Sequence, residues 1–441
     1  MNDSGSQTRK SPRIIPRAEH CVSRNEISKS ALKVLYRLHK AGYQAFLVGG
    51  CVRDALLGLH PKDFDVATNA TPDEVRALFD NCRLIGRRFR LAHVRFGREI
   101  IEVATFRAAA ENDADDVAHD DEGRIIRDNV YGSIDEDVWR RDFTCNALYY
   151  NIADFSIWDY VGGVDDIRRR RMELIGNAKE RLREDPVRML RAIRFAAKLD
   201  FTIADDVVAA MHRDAGLIAN VPAARIFDEF LKMFQAGCAE KTFELLRRHK
   251  LFGELFPATE QEFSDTEGFL DFVMAALRNT DKRYAEDKPI NPMFLIGVFL
   301  WAPTVRLAAL RREQEKMSES QALSLASYEL AGQQQRRISI PKRFSVPMRE
   351  MLALQPRFTQ TRGKRAMKLL EHRRFRAAYD FMLLRAEVGE FDQETADFWT
   401  RVQGQNARQR AESFELSKSA SRPRRRSRRR RGRRKASAGD A

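Results

Sequence analysis

The sequence has few cysteines and no long apolar run, which are the features that stabilise small secreted folds and form membrane-spanning helices. Its five cysteines, at positions 21, 51, 82, 145 and 238, have no CxxC spacing. This pattern argues against a disulfide framework and a zinc ribbon, and it favours a reducing, cytoplasmic location. Residues 1–10 are too polar for an export signal. The longest strongly apolar run, residues 293–301, has about half of the ~20 residues that span a bilayer, so it predicts a buried helix.

Acidic residues are scarce at the C-terminal end, where basic charge is concentrated. The 441 residues contain 78 Lys and Arg against 63 Asp and Glu, a net charge of +15, and eleven of the fourteen residues 422–435 are basic. Subtracting those eleven charges leaves only +4 for the rest of the chain. A flexible polycation condenses on the RNA backbone and releases counterions. Because no aromatic residues are interspersed with it, the tail predicts RNA binding without base stacking.

The periodicity of apolar residues divides the chain into regions. At 43% hydrophobic residues the chain is too apolar to be wholly disordered. Strand and helix patterns alternate in the first third, whereas helical spacing prevails afterwards. Seven of the twelve residues 111–122 are acidic and predict a solvated loop. We predict an α+β protein with a polar N-terminal arm (1–25), a small mixed-sheet head (26–165), a mostly α-helical neck (166–250) and body (251–416), and a disordered Arg-rich tail (417–441).

Two aspartates lie one residue apart in a strand-like segment. The period of two in a strand points Asp63 and Asp65 to one side and Phe64 and Val66 to the other. Adjacent carboxylates repel each other unless a divalent cation or a shared proton compensates, and hard oxygen ligands suit Mg²⁺. The alternative is a pair of acids on an exposed edge or turn. The neighbouring motifs favour the metal site.

A double glycine precedes these aspartates, at the end of another predicted strand. Gly49 and Gly50 would let the backbone approach a phosphate closely, and the helix that follows offers unpaired N–H groups. Arg53 adds a positive charge with forked donors. A double glycine alone indicates only a tight turn. Its position shortly before the paired aspartates indicates a phosphate-binding loop.

Glu102 interrupts residues 99–105, which otherwise predict a buried strand. A charge in such a strand should be paired or metal-bound. Glu102 is therefore a candidate third carboxylate beside the aspartates. An acid on an edge strand explains it equally well, and the sequence leaves both interpretations open.

A base-reading pair is predicted further along the chain. Asp185 and Arg188 are three apart in a segment of helical period, so they would share a face and present an acceptor beside a donor fork. Adenine and cytosine match this pattern, whereas guanine and uracil would leave buried groups unpaired at about 1 to 3 kcal/mol each. The pair does not explain selection of A over C. The alternative is an ordinary helix ion pair from Glu184 to Arg188, and Arg191 continues the same stripe.

Four segments in order resemble one enzyme family. GGCVRD (49–54), KDFDVAT (62–68), RRDFTCNALYY (140–150) and REDPVRMLRAIRF (183–195) are similar to the motifs of class II template-independent nucleotidyltransferases. This family comprises the tRNA CCA-adding enzymes and the bacterial poly(A) polymerases. Residues 84–94 and the Arg-rich end resemble the poly(A) polymerase branch, and the likeness extends over most of the chain, including residues 375–380. Cys51 departs from the family pattern, in which glycine is common at that position.

The resemblance implies a catalytic head in which Asp63 and Asp65 hold Mg²⁺, or Mn²⁺. Gly49, Gly50 and Arg53 would cradle the incoming triphosphate, and Asp142 would either complete the active centre or contact the ribose. The nucleotide-binding set would also include Asp185, Arg188 and Arg191.

The activity implied is that of a polynucleotide adenylyltransferase. It would add AMP from ATP to the 3′ ends of RNA, including mRNA and structured RNAs, release pyrophosphate, and so promote RNA processing and decay. RNA-decay proteins would dock on the arm or tail. The alternatives are a tRNA CCA-adding enzyme and, from another class, a non-catalytic RNA-binding protein that relies on its tail.

Overall fold

The computed structural model of the chain describes residues 11–86, 90–108, 117–119, 125–128 and 130–415. The chain divides into two compact units, Met1–Leu352 and Ala353–Ala441. The Arg-rich tail and most of the acidic segment 111–122 lie outside the described residues, so the predictions made for them stay predictions. The mixed-sheet head and the helical remainder that the periodicity predicted are both confirmed.

The head is built on an eight-stranded mixed sheet with strand order β1-β10-β9-β2-β3-β6-β5-β4. Strands β3 and β6 run parallel, and the other neighbours in this sheet run antiparallel. Two small ribbons, β7-β8 and β11-β12, complete the described strands. The strands are β1 Arg13–Ile15, β2 Ala45–Val48, β3 Asp65–Thr68, β4 Cys82–Ile85, β5 Leu91–Phe96, β6 Glu99–Thr105, β7 Val117–His119, β8 Ile125–Asp128, β9 Leu148–Asn151, β10 Ile157–Asp159, β11 Arg171–Met172 and β12 Thr202–Ile203.

The helices account for most of the remaining described residues. The first of them are α1 Lys29–Lys40, α2 Gly50–Leu56, α3 Pro72–Leu78, α4 Ile134–Arg140, α5 Gly163–Arg168, α6 Ala178–Glu184, α7 Val187–Leu199, α8 Asp205–Asp214, α9 Ala223–Phe234 and α10 Ala239–Arg248. They are followed by α11 Phe252–Leu255, α12 Pro257–Asp265, α13 Phe269–Ala285, α14 Pro292–Phe299, α15 Trp301–Glu315, α16 Glu319–Gln334, α17 Lys342–Ala353, α18 Gly363–Met367, α19 Phe375–Glu387, α20 Gln393–Gln403 and α21 Ala407–Ser413.

The two faces of the head sheet are packed by different helices. On one face, Phe46, Val48 and Ala67 form a buried cluster with Val138 of α4 and Tyr149 of β9. Helices α1 and α3 pack against the strands without contributing to that cluster. Local signals explain where α3 begins, because Thr71 and Glu74 form a capping box and a proline takes the first helical position.

Part of the predicted N-terminal arm, residues 1–25, packs on the head sheet. Arg13–Ile15 is the edge strand β1 and pairs with β10, and Ile15 and Val22 are buried. A strand of three residues is too short to show a period of two in the sequence. Its pairing partner lies more than a hundred residues away, so the local pattern could not reveal it.

The apolar run 293–301 is a broken helix, not a single one. Helix α14 ends at Phe299 and α15 begins at Trp301, with a bend of 54° between them. Among the described residues no single helix meets the length and hydropathy expected of a membrane span, although this bent pair does so jointly. Leu295, Ile296 and Val298 are almost fully buried, so the prediction of burial is confirmed.

The second unit has its own aromatic core. Trp399 of α20 is fully buried, and its ring packs against those of Phe358, Phe375 and Phe414. The Trp399 indole N–H donates to the backbone carbonyl of Phe358 at 2.7 Å. A buried tryptophan therefore has its single donor satisfied.

His249, at the C-terminal end of α10, gives the first unit a pH-dependent stability. Its Nδ1 lies 3.3 Å from Nε2 of His212, and burial, His212 and Arg248 lower the pKa of His249. The unfolded chain therefore binds a proton at this position more readily than the folded chain, so stability should fall as pH drops through about 6.5. Between pH 7 and pH 5 the urea concentration at half-unfolding should decrease, and we expect this decrease to be smaller in His249→Gln than in the wild type. An equal decrease in both proteins would contradict this.

Candidate active site

The two aspartates of the predicted metal site lie at the start of β3 and just before it. Asp63 and Asp65 are both exposed, whereas Phe64 and Val66 are 7% and 0% exposed. The alternation predicted from the sequence is therefore present. Asp65 pairs with Val48 of β2 and shares the sheet face of Ala67 and Phe46.

Glu102 is brought next to these aspartates by the parallel pairing of β3 with β6. It lies directly opposite Asp65 in the register of the two strands, and its Oε1 is 3.4 Å from Nε2 of His93. Although Asp65 is exposed at the sheet surface, the surrounding protein desolvates its carboxylate enough to raise the pKa to about 6; Glu102 and Asp63 raise this pKa further, and Arg141 opposes the shift. Strand β6 lies between β3 and β5, so Glu102 is not on an edge strand, and the three carboxylates concentrate negative charge on one face of the sheet.

These side chains have the chemistry of a hard divalent-cation site. Carboxylate oxygens are the ligands that Mg²⁺ and Mn²⁺ take, and a cation would relieve the repulsion that raises the Asp65 pKa. Over the ranges that the structure describes, no three or more His, Cys, Asp or Glu side chains close around one point. The two aspartates are thus the residues that fit such an ion, and Glu102 lies beside them without closing the group around it.

Arg141 is the cation whose charge opposes the rise in the Asp65 pKa. Its guanidinium donates to Asp137 at 2.9 and 3.1 Å and to the Tyr149 hydroxyl at 2.8 Å, and that hydroxyl donates to Asp137 at 2.7 Å. Burial alone would lower the pKa of Arg141, but Tyr149 and Asp137 raise it overall. The sequence analysis missed this residue, although it belongs to the same motif as Asp142.

The double glycine forms a tight connection between β2 and α2. Gly49 has φ +80°, a left-handed conformation that L side chains rarely adopt, so glycine is required there. A Cβ on Gly50 would lie 3.4 Å from NH2 of Arg53. The loop therefore rests directly on a guanidinium group.

Arg53 is itself only 3% exposed and is held by protein groups. It donates to the Asp54 carboxylate at 2.6 and 2.8 Å and to the Asn146 side chain, and it stacks on Phe195 with 5.1 Å to the ring centroid. The structure thus places Arg53 beneath the loop. Its charge lies next to Gly50, but its donors face Asp54 and Asn146.

Asp142 forms a partly buried ion pair with Arg191 of α7. Its Oδ2 accepts from Arg191 Nε at 2.7 Å and NH2 at 2.5 Å, and its Oδ1 accepts from the Phe143 N–H at 2.8 Å and from Asn146 at 3.4 Å. Burial alone would raise the pKa of Asp142, but Arg191 and these hydrogen bonds lower it overall. Asn146 contacts both Asp142 and Arg53, so it connects the two predicted nucleotide-binding groups.

The prediction that Asp185 and Arg188 share one continuous helix is wrong. Helix α6 ends at Glu184, Asp185 is extended with φ −142° and ψ 93°, and α7 begins after Pro186. The residue before a proline is driven out of the helical region by contact with the proline ring. The predicted helix is therefore interrupted between Asp185 and Arg188.

Asp185 and Arg188 nevertheless line the same cavity, which has a volume of about 460 Å³. Asp142 and Arg191 line it too, so the fold brings together four of the predicted residues around one cavity. The remaining lining residues are Arg140, Arg141, Val187, Arg225, Asp228, Glu229 and Lys232.

Each member of the predicted pair is held by a neighbour. Arg225 donates to both Asp185 oxygens, at 2.9 and 3.2 Å. Arg188 Nη1 donates to Glu184 at 2.8 Å and to the Arg181 carbonyl at 2.7 Å, so the ion pair from Glu184 to Arg188 is also present, but it joins two helices. The sequence contained no signal for Arg225, because α9 reaches the cavity only through the tertiary fold.

Three family models match the chain. "Poly A polymerase head domain" matches residues 45–173, "Probable RNA and SrmB- binding site of polymerase A" matches residues 200–263, and "Polymerase A arginine-rich C-terminus" matches residues 315–435. The first of these covers the paired aspartates, the double glycine and Asp142.

Curated relatives match over most of the chain. Poly(A) polymerase I of Salmonella typhi is 48% identical over 88% of this chain and 85% of its own length, and that of Haemophilus influenzae is 42% identical over 91% and 90%. The CCA-adding enzyme of Bacillus pumilus is 38% identical over 54% of this chain and 57% of its own length. Among solved structures, the Bacillus stearothermophilus CCA-adding enzyme with CTP has a TM-score of 0.51 at 26% identity, covering 84% of this chain and 80% of that one.

Proposed function

Because the chain belongs to the poly(A) polymerase I family, we propose that it extends RNA 3′ ends with AMP from ATP, without a template, and releases pyrophosphate. The observation that carries this proposal is the parallel pairing of β3 with β6, which sets Glu102 opposite Asp65 and beside Asp63 within a matched polymerase head domain. The CCA-adding relatives match about half of the chain and remain the alternative.

Asp63 and Asp65 would hold the divalent cation, Mg²⁺ or Mn²⁺, with Glu102 as the third carboxylate. When bound, such an ion neutralises charge on phosphate oxygens during an in-line displacement. The protein's own contribution is to position the reactants, which is most of what phosphoryl transfer requires.

The triphosphate would lie against the double glycine. Gly49 and Gly50 let the backbone come close to it, and Arg53 supports the loop from beneath with a fixed positive charge. Arg140, Arg141 and Arg191 line the adjacent cavity, which suits an anionic ligand. Asp142 would act through Arg191, by holding its guanidinium at the cavity wall.

The base would be read by Asp185 and Arg188. The carboxylate accepts from the exocyclic amino group and the guanidinium donates to the ring nitrogen, a pattern that adenine offers. Arg225 fixes Asp185 with two hydrogen bonds, and Glu184 with the Arg181 carbonyl fixes Arg188. Both readers are thus held in place by protein contacts, which lowers the entropy cost of recognition.

The finer assignments follow from sequence features. We place the reaction in the cytoplasm, in keeping with the scattered cysteines, and we assign mRNA and structured RNAs as substrates. The boundaries between head, neck and body at residues 165/166 and 250/251 belong to the same proposal. RNA-decay proteins would dock on the arm or on the Arg-rich tail, to which a family model extends.

Extension assays with single nucleotides test the proposed function. Purified full-length protein is incubated with Mg²⁺, an RNA bearing a free 3′ hydroxyl, and ATP, CTP, GTP or UTP separately. We expect continued incorporation of AMP alone. Incorporation of CMP on tRNA that lacks its end, stopping after CCA is complete, would identify the alternative. RNA binding without any incorporation would identify a non-catalytic protein.

Asp185→Asn should relax base selection. The amide keeps the size of the carboxylate, but its NH₂ group is a hydrogen-bond donor, whereas the carboxylate only accepts. It can therefore donate to a carbonyl oxygen of guanine or uracil. We expect the preference for ATP over GTP in kcat/KM to fall roughly tenfold or more. Asp228→Asn, at a carboxylate lining the same cavity, is the matched control and should keep the preference. Equal preferences in all three proteins would remove Asp185 from base reading.

A further inference from the structure

Helix α1 of the head exposes a stripe of positive charge. It buries Ala31, Val34, Leu35 and Leu38 against the sheet, and the opposite side exposes the four residues that we call the α1 basic face: Lys29, Lys33, Arg37 and Lys40. Their spacings of four, four and three place them in one row about 16 Å long. The helix contains no acidic residue.

The charges of the α1 basic face are not neutralised within the part of the chain that the structure describes. No ion pair there involves any of the four, whereas an exposed arginine elsewhere pairs along its own helix, as Arg408 does with Glu412. Like charges four residues apart destabilise a helix. Because no acid in this helix compensates this repulsion, binding of a polyanion would neutralise the charges of the row.

One aromatic ring, that of Tyr36, lies along the row. A cavity of about 480 Å³ is lined by the four cations together with Leu32 and Tyr36. The Tyr36 hydroxyl accepts from Arg24 at 3.0 Å, which fixes one end of the ring. Single-stranded nucleic acid binds to surfaces that combine cations along the backbone with an aromatic ring for the bases. An acidic peptide would need the cations but not the ring.

The α1 basic face is separate from the candidate active site. Asp65 shares the sheet face of Phe46 and Ala67, whose buried cluster includes residues of α4 but none of α1. Helix α1 packs against β2, β3 and β6 outside that cluster. A ligand on this helix would therefore bind away from the reacting 3′ end.

We propose that the α1 basic face binds the phosphate backbone of the RNA substrate, upstream of the end that is extended, with Tyr36 stacking on a base. The proposal rests on the proposed function, because it assigns a second contact to the same substrate. Long RNAs reach both α1 and the active site, whereas a short primer reaches only the active site.

The test compares two triple variants of the full-length protein. Lys29→Gln, Lys33→Gln and Lys40→Gln together remove three cations of the face and leave Arg37, which stacks on Phe79. The control, Lys282→Gln, Lys316→Gln and Lys342→Gln, removes three exposed lysines elsewhere in the same unit and so matches the change in net charge. Affinity for a fluorescent single-stranded RNA is measured over a range of salt concentrations without ATP, and AMP addition to a short primer is measured separately.

We expect the α1 variant to bind the long RNA roughly tenfold more weakly than the control at moderate salt, with a slope of log affinity against log salt that is smaller by about 2. Tyr36→Leu should weaken binding about fivefold or more without changing that slope. Both should extend the short primer at the wild-type rate.

Equal affinities and slopes in the α1 and control variants would overturn the inference, and so would tight binding of an acidic peptide with no effect on RNA. Wild-type protein that fails to extend any primer would instead refute the proposed function. The RNA-binding measurements do not depend on that outcome, so the two failures are distinguishable.

Discussion

Asp65→Asn is expected to lower the rate of AMP addition by about 10³-fold or more while the protein stays folded. The amide keeps the shape of the side chain but removes the charge that would hold a cation. Because Glu102 and Asp63 already raise the pKa of Asp65, removing its charge also relieves repulsion. The melting temperature should therefore stay the same or rise, an outcome that separates lost chemistry from lost folding.

Single-turnover extension and thermal unfolding would be measured on the same preparations. Asp63→Asn should behave like Asp65→Asn, and Glu102→Gln tests whether the third carboxylate takes part. Asp80→Asn, an exposed acid of the same head, is the matched control and should extend RNA like the wild type. Near-normal extension by the Asp63 or Asp65 variant would refute the cation site.

Asp142→Ala is expected to destabilise the first unit by about 1 to 2 kcal/mol, because it leaves the partly exposed Arg191 guanidinium without its nearest carboxylate. Glu229 lies 3.8 Å from Arg191 and limits the loss. The folded-state pKa of Asp142 is lowered, so its contribution is present above the unfolded pKa of about 3.9 and is lost as pH falls through the folded value. The difference between wild type and variant should therefore shrink in acid.

Urea unfolding at several pH values, combined with a double-mutant cycle using Arg191→Met, would measure this coupling. The double variant should be more stable than Asp142→Ala alone, since it no longer buries an unpaired charge. Asp228→Ala, at a cavity acid that is itself exposed, should change stability little. Additive effects of the two substitutions would show that the pair is not coupled.

Local patterns in the sequence predicted the features that depend on near neighbours. The alternation of Asp63, Phe64, Asp65 and Val66 follows from the geometry of a strand, and the double glycine needs no distant partner to adopt its turn. The same local reasoning failed at Asp185. The spacing of apolar residues predicts one helix across Pro186, whereas the residue before this proline is extended and a new helix begins after it.

Other features depend on residues far apart in the chain. The parallel register that sets Glu102 opposite Asp65, the Asp142–Arg191 ion pair and the two hydrogen bonds from Arg225 to Asp185 each join different elements. The amino-acid order accounts for the α+β division, the acid pair and the glycine loop, since short-range sterics and periodicity encode them. Which charges meet in the cavity was settled by packing, because burial makes each ion pair depend on a partner that no local pattern identifies.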